Sequence, residues 1–209
     1  KIMEWNMFDT LIRFGDVYSL KPRLDFDKFY EGLNLFQDKW VQYNPRKDIL
    51  RKGLSVTSLD GGMSGIPDLD SIKEYSIKNN IKLEESDFNK RTEFYPYVES
   101  VLQPFKKYLG RTHIIKHAPG GQFPPHRDDF RSEIKSCRLF LPIQDCNPPL
   151  NYFILDNKIL NFVHGQLYFL NTCKEHTVFT TLGHTMFMVV NITINEESVK
   201  TILENIAVN

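Results

Sequence analysis

Seven short β-type runs fill the chain between Thr112 and Ile192: THIIKHA (112 to 118), CRLFLPI (137 to 143), NYFIL (151 to 155), ILNFV (159 to 163), QLYFL (166 to 170), HTVFTT (176 to 181) and HTMFMVVNI (184 to 192). Each is rich in β-branched and aromatic residues, which fit a pleated, half-buried surface. PGG at 119 to 121, DN at 156 to 157, HG at 164 to 165 and LG at 182 to 183 supply turns between several of them. Many short strands at even spacing predict a sandwich or barrel, and the double-sheet jelly roll belongs to that class. The expected fold is mainly β with flanking helices around a sandwich- or barrel-type core at 111–194, of which the jelly roll is one form.

The flanks read differently. Residues 1–110 mix short helical patterns with loops, including SLDGGMSGIPDLD (58 to 70). Val98, Val101, Leu102, Phe105 and Leu109 recur at helical spacing, with Gly110 placed as a C-cap and Pro104 as a kink or a true start. After 195 the pattern NEESVKTILENIA predicts a closing helix. Asn195 would cap it, Glu196 and Glu197 favour its positive end, and Val199, Ile202, Leu203 and Ile206 form its apolar face. The 209 residues suit one domain, with 1–110 as a supporting layer and 195–209 as the helix.

Composition narrows the partners. Lys plus Arg equals Asp plus Glu at 26 each, so the net charge is zero, which argues against a nucleic-acid partner. No apolar run approaches the roughly 18 residues of a membrane span, and KIMEWNMF carries no signal-peptide pattern. Cys137, Cys146 and Cys173 fit neither zinc-knuckle spacing nor a disulfide framework and read as reduced thiols. A soluble, cytoplasmic protein is the expectation.

All six histidines lie in the β-rich half, and one of them stands in PPHRDD (124 to 129). On an extended segment His126 and Asp128, two apart, point the same way and can converge on one ion. A second imidazole from another strand would complete a two-His, one-carboxylate facial set, leaving three adjacent positions open on non-haem Fe(II). A lone HxD usually sits in a solvated turn. His176, fifty positions downstream in GQLYFLNTCKEHTVF, offers the second imidazole.

The run IIKHAPGGQFPPHRDDF … CRLFLPI … GQLYFLNTCKEHTVF … HTMFMVVNI resembles the 2-oxoglutarate- and Fe(II)-dependent dioxygenases over residues 112–194. KHAPGGQFPPHRDD looks like the lead-in of the prolyl hydroxylase branch. WVQYNPRKDILRKGLSVTSLDGG and CRLFLPI look more like the aspartyl/asparaginyl β-hydroxylase branch, although many members of that branch lack the carboxylate that Asp128 keeps here. The resemblance implies a double-stranded β-helix and makes His126, Asp128 and His176 the iron ligands. It also implies 2-oxoglutarate and molecular oxygen as co-reactants, with a small-molecule or peptide substrate.

The superfamily's usual Arg or Lys at the start of the last strand is absent, since that strand opens His184, Thr185, Met186. Arg138 is the substitute for the cosubstrate carboxylate, because its planar fork can hold a carboxylate at two points. It also fits a rim residue paired with Asp145 or Glu133. His117, in the lead-in, and His184 with Thr185 are further cosubstrate candidates; both histidines also fit structural places in a strand or hairpin. Arg127, Asp129 and Arg131 border the proposed iron and fit either substrate recognition or a solvated turn. His113 and His164 receive no role, and Met186, Phe187, Met188, Phe140, Pro142 and Phe153 read as packing. Residues 1–110 are expected to cover one side of the barrel and help form the substrate mouth.

The functional expectation is an oxygenase hydroxylating an amino-acid side chain or small metabolite. A cupin-like metalloenzyme without 2-oxoglutarate and a non-catalytic jelly-roll binding protein are the alternatives. No G-x-S-x-G elbow supports a serine hydrolase.

Overall fold

The computed structural model describes residues 6–44, 50–128 and 134–207. Thirteen strands and five α-helices are present among them. The strands are β1 (Val17–Arg23), β2 (Val41–Gln42), β3 (Arg51–Ser55), β4 (Thr57–Ser58), β5 (Lys90–Arg91), β6 (Leu109–His117), β7 (Gln122–His126), β8 (Ser136–Gln144), β9 (Asn151–Leu155), β10 (Lys158–Leu160), β11 (Gln166–Leu170), β12 (His176–Thr180) and β13 (Met186–Thr193). The helices are α1 (Met7–Ile12), α2 (Phe26–Leu35), α3 (Ile72–Asn79), α4 (Glu99–Leu102) and α5 (Glu196–Glu204).

From β6 onward, successive strands fall alternately into two antiparallel sheets, except that β9 and β10 form a hairpin within one of them. The larger runs β1-β11-β8-β13-β6-β3-β2 and the smaller β10-β9-β12-β7. This alternation is the jelly roll: apart from the β9–β10 hairpin, each connection crosses from one sheet to the other, so the strands share one interior. The fold is mainly β, as its strand pattern predicts.

Period two in the larger sheet separates two apolar clusters. Leu139, Leu141 and Ile143 of β8, with Met188, Val190 and Ile192 of β13 and Ile114 of β6, join Phe8, Leu11, Phe29, Val101 and Ile202 of the helices. Their neighbours Phe140, Phe187 and Ile115 point into the other cluster, between the sheets, with Phe153, Leu155 and Val178 of the smaller sheet. The larger sheet is therefore covered on both faces, which explains near-continuous apolar runs such as CRLFLPI.

Three expectations change. Residues 1–110 are not only helices and loops, because β1 pairs with β11 and β3 pairs with β6, widening the larger sheet on both sides. The helix expected over 97–109 is broken into 3-10 turns at Tyr95–Tyr97 and Gln103–Phe105 around the short α4. Pro104 sits in the second turn, where its missing N–H ends the α-helical ladder. Gly110 lies inside β6 rather than capping a helix, and the reason is contact. A Cβ there would stand 2.6 Å from the Glu85 carbonyl oxygen. The closing helix is capped as expected, with the Asn195 side chain accepting from the Ser198 N–H at 2.8 Å.

Candidate metal centre

β7 is the outer strand of the smaller sheet, which suits Pro124 and Pro125, since neither has a ladder N–H to give. Its last residue, His126, stands in register with His176 at the start of β12. Their rings face each other at 4.2 Å between centroids. Just beyond β7, the Asp128 N–H donates to the Thr172 carbonyl at 3.1 Å, which turns its carboxylate back toward the two imidazoles. One ligand atom from each of His126, Asp128 and His176 lies within 4.8 Å of the others.

Both imidazoles are held in the tautomer a metal needs. His126 Nδ1 lies 2.7 Å from the Pro124 carbonyl and His176 Nδ1 lies 3.0 Å from the Lys174 carbonyl. A carbonyl oxygen only accepts, so each Nδ1 carries the proton and each Nε2 presents a lone pair. Burial keeps His176 below the usual histidine range, favouring the neutral, ligating form. Asp128 Oδ1 faces His126 Nε2 at 3.9 Å. Burial works to raise the Asp128 carboxyl, but the Arg138 charge and a hydrogen bond from the Thr172 side chain outweigh it and leave it below the usual range. Two imidazole nitrogens and one carboxylate oxygen fit a divalent transition metal.

Arg138, on the inward-facing register of β8, hydrogen-bonds Asp128 Oδ2 through Nε and Asn191 Oδ1 through a terminal nitrogen at 3.2 Å. It also lies 3.7 Å from Glu85. Glu85 in turn takes a two-point bond from Arg111 at 2.8 and 2.9 Å. The result is an alternating chain, Asp128–Arg138–Glu85–Arg111. Burial opposes the charge on Arg138, but Asp128 and Glu85 hold its pKa above the ordinary value. Asp145 does not fill the partner role weighed for Arg138. Asp145 accepts from the His184 N–H instead, and Glu133 lies outside the described residues.

A cavity of about 190 Å³ opens beside the three candidate ligands, lined by Arg111, His113 and Arg138 on one side and by Phe123, Phe153, Val178 and Phe187 on the other. His113 had no assigned role, yet it borders this cavity, its ring 5.2 Å from Tyr43. Burial, with the Arg111 and Arg138 charges, pushes its pKa well down, so it is neutral. The signal was in the sequence: Arg111, His113 and Ile115 alternate along β6 and so share the inner face.

The other cosubstrate candidates are not brought to this cavity. Thr185 is buried in a network with Thr180 and the Asp145 carbonyl. His184 is exposed at the turn before β13. His117 faces inward, but it packs against Phe123 and Phe187 at 5.4 and 5.5 Å, behind the cavity wall. Arg127 is exposed, and Asp129 and Arg131 lie outside the described residues. Among the described residues no helix is long and apolar enough to cross a membrane, and all three cysteines are free thiols.

No family model matches the chain, and no curated protein matches it. Solved structures similar to it include a Pseudomonas putida prolyl-4-hydroxylase, at 12% identity and a TM-score of 0.49 over 90% of this chain and 97% of that one. A viral collagen prolyl hydroxylase from Paramecium bursaria Chlorella virus-1, solved as a 2-oxoglutarate complex, matches at 10% identity and 0.49 over 87% and 97%. A predicted oxalate decarboxylase from Thermotoga maritima matches at 15% and 0.31 over 44% and 74%. At these values the jelly-roll assignment stands on strand order and register.

Proposed function

We propose that the chain is an Fe(II)- and 2-oxoglutarate-dependent oxygenase that hydroxylates an amino-acid side chain or small metabolite. The reading treats 1–209 as one cytoplasmic domain, with 1–110 as its supporting layer. The observation that carries it is the facing pair of His126 and His176, each with its Nε2 lone pair free and Asp128 beside them. These three side chains would hold the iron. When bound, the iron with 2-oxoglutarate and O₂ supplies the oxidising power for breaking a C–H bond, chemistry that no side chain here provides.

The chain's own contribution is orientation and exclusion. The Pro124 and Lys174 carbonyls fix both imidazoles, and Arg138 holds one Asp128 oxygen so that the other faces the ligand set. Phe123, Phe153, Val178 and Phe187 form a dry wall around a space suited to small groups. Arg138 is the assigned contact for a carboxylate of the cosubstrate, exchanging part of its bond to Asp128 or Asn191 for the ligand.

One observation favours a second reading, a cupin-like metalloenzyme that does not use 2-oxoglutarate. Both arginines at the cavity are already paired with carboxylates, and the last strand brings no cation there. Anaerobic Fe(II) protein titrated with 2-oxoglutarate separates the two: a metal-to-ligand absorption band is expected, and its absence with iron bound selects the second reading. One equivalent of metal, lost in Asp128→Ala and His176→Ala, is expected. Failure to bind metal would return the chain to a non-catalytic binding protein.

A further inference from the structure

Arg51 opens β3 on the inner face of the larger sheet, paired across the ladder with His117. It is 4% exposed, with its guanidinium carbon 3.9 Å from the centre of the Phe123 ring and 5.5 Å from that of Tyr43. Its Nε has no hydrogen-bond partner, and among the described residues no carboxylate pairs with it. That separates it from Arg111 and Arg138, each bonded to a carboxylate. His117 adds no second charge beside it, because burial and the neighbouring Arg51 push its pKa down to about 3 and leave it neutral. Its Nε2 is likewise unpartnered. A buried cation without a counter-charge is costly, so its natural complement is an anion from outside the chain.

Arg51 also lines a hollow of about 530 Å³ at the end of the sheet, together with Lys52, Lys116, His117, Gln144 and His184. Among the described residues no Asp or Glu lines it. The Lys116 ammonium rests 4.0 Å from the centre of the Trp40 ring, a cation–π contact that leaves its charge uncompensated by any carboxylate among the described residues. We propose that this hollow is an oxyanion site, anchored by Arg51, for the carboxylate or phosphate group of a small metabolite. The planar guanidinium receives two oxygens at once, while Lys52 and Lys116 add attraction from the rim. Phe123 divides the site from the metal cavity, so its residues differ from the proposed iron ligands. The inference stands without the metal reading.

Calorimetric titration of metal-free protein with succinate, and separately with inorganic phosphate, tests it and tells the two head groups apart. Saturable binding of one probe is expected, weakened about tenfold or more in Arg51→Met. It should persist in His176→Ala, whether or not that variant has lost metal. Arg51→Met should also be at least as stable as the wild type without anion, because it removes an uncompensated buried charge; this shows that lost binding is not lost folding. Neither probe binding the wild type would overturn the site, as would undiminished binding by Arg51→Met. Binding lost in Arg138→Met but kept in Arg51→Met would move the anion to the metal cavity and overturn it as well.

Discussion

At the scale of single residues, Asp128 and Arg138 depend on each other unequally. Arg138 keeps Glu85 at 3.7 Å and Asn191 if Asp128 is removed, whereas Asp128 has no second cation bonded to it among the described residues. Arg138→Met should therefore cost about 2–3 kcal/mol in the metal-free protein, and Asp128→Ala less. Urea unfolding of both variants checks the order, and the reverse ranking would contradict the pairing. His117 makes a separate prediction in pH. Its folded pKa is near 3, while an unfolded histidine titrates near about 6.5. As pH falls through that window the unfolded chain binds the proton first, so the folded state loses stability between about 6.5 and 3 and nothing above. Thermal melts from pH 7 to 4 should show the midpoint falling, with a shallower slope in His117→Gln. Buried His113 acts in the same direction.

At the scale of elements, β7 and β12 bring the site together. The alternation of HRD along an extended segment was legible from spacing, and so was a distal histidine beside a strand. β7 itself was not read as a strand, because two prolines in five residues contradict the usual strand pattern. They are accommodated only because β7 forms an edge, and edge position is a property of the sheet. Gly110 illustrates the same limit. Its role was read from the helical spacing before it, but the structure uses it to admit the Glu85 backbone against β6. Gly110→Ala should destabilise the protein by about 1–3 kcal/mol through that clash, measured by denaturant midpoint. A neutral result would mean that the Glu85 turn gives way easily. That turn carries the carboxylate joining Arg111 to Arg138, so the same variant should also weaken metal binding.

At the scale of the whole molecule, the N-terminal layer and the jelly roll share one core. Leu20 of β1, fully buried, packs in a cluster that also holds Phe8 and Leu11 of α1, Leu139 of β8 and Val190 of β13. Leu20→Ala should cost about 2–5 kcal/mol, and far-UV circular dichroism and aromatic fluorescence should unfold together. Two separated transitions would show the N-terminal layer melting independently of the barrel.

Strand periodicity and turn residues predicted a sandwich or barrel, and the resemblance to the dioxygenases narrowed this to a jelly roll and named three residues that the fold brings within 4.8 Å. Those signals are local: they depend on which face a residue takes within its own segment. Folding alone decided that β3 lies beside β6, that Arg138 meets Asp128 rather than Asp145, and that His113 borders the cavity while Thr185 does not. It also left Arg51 buried with no carboxylate paired to it among the described residues. These outcomes depend on which strands become neighbours across long stretches of chain, and pairing of that kind is set by the burial of both sheet faces together.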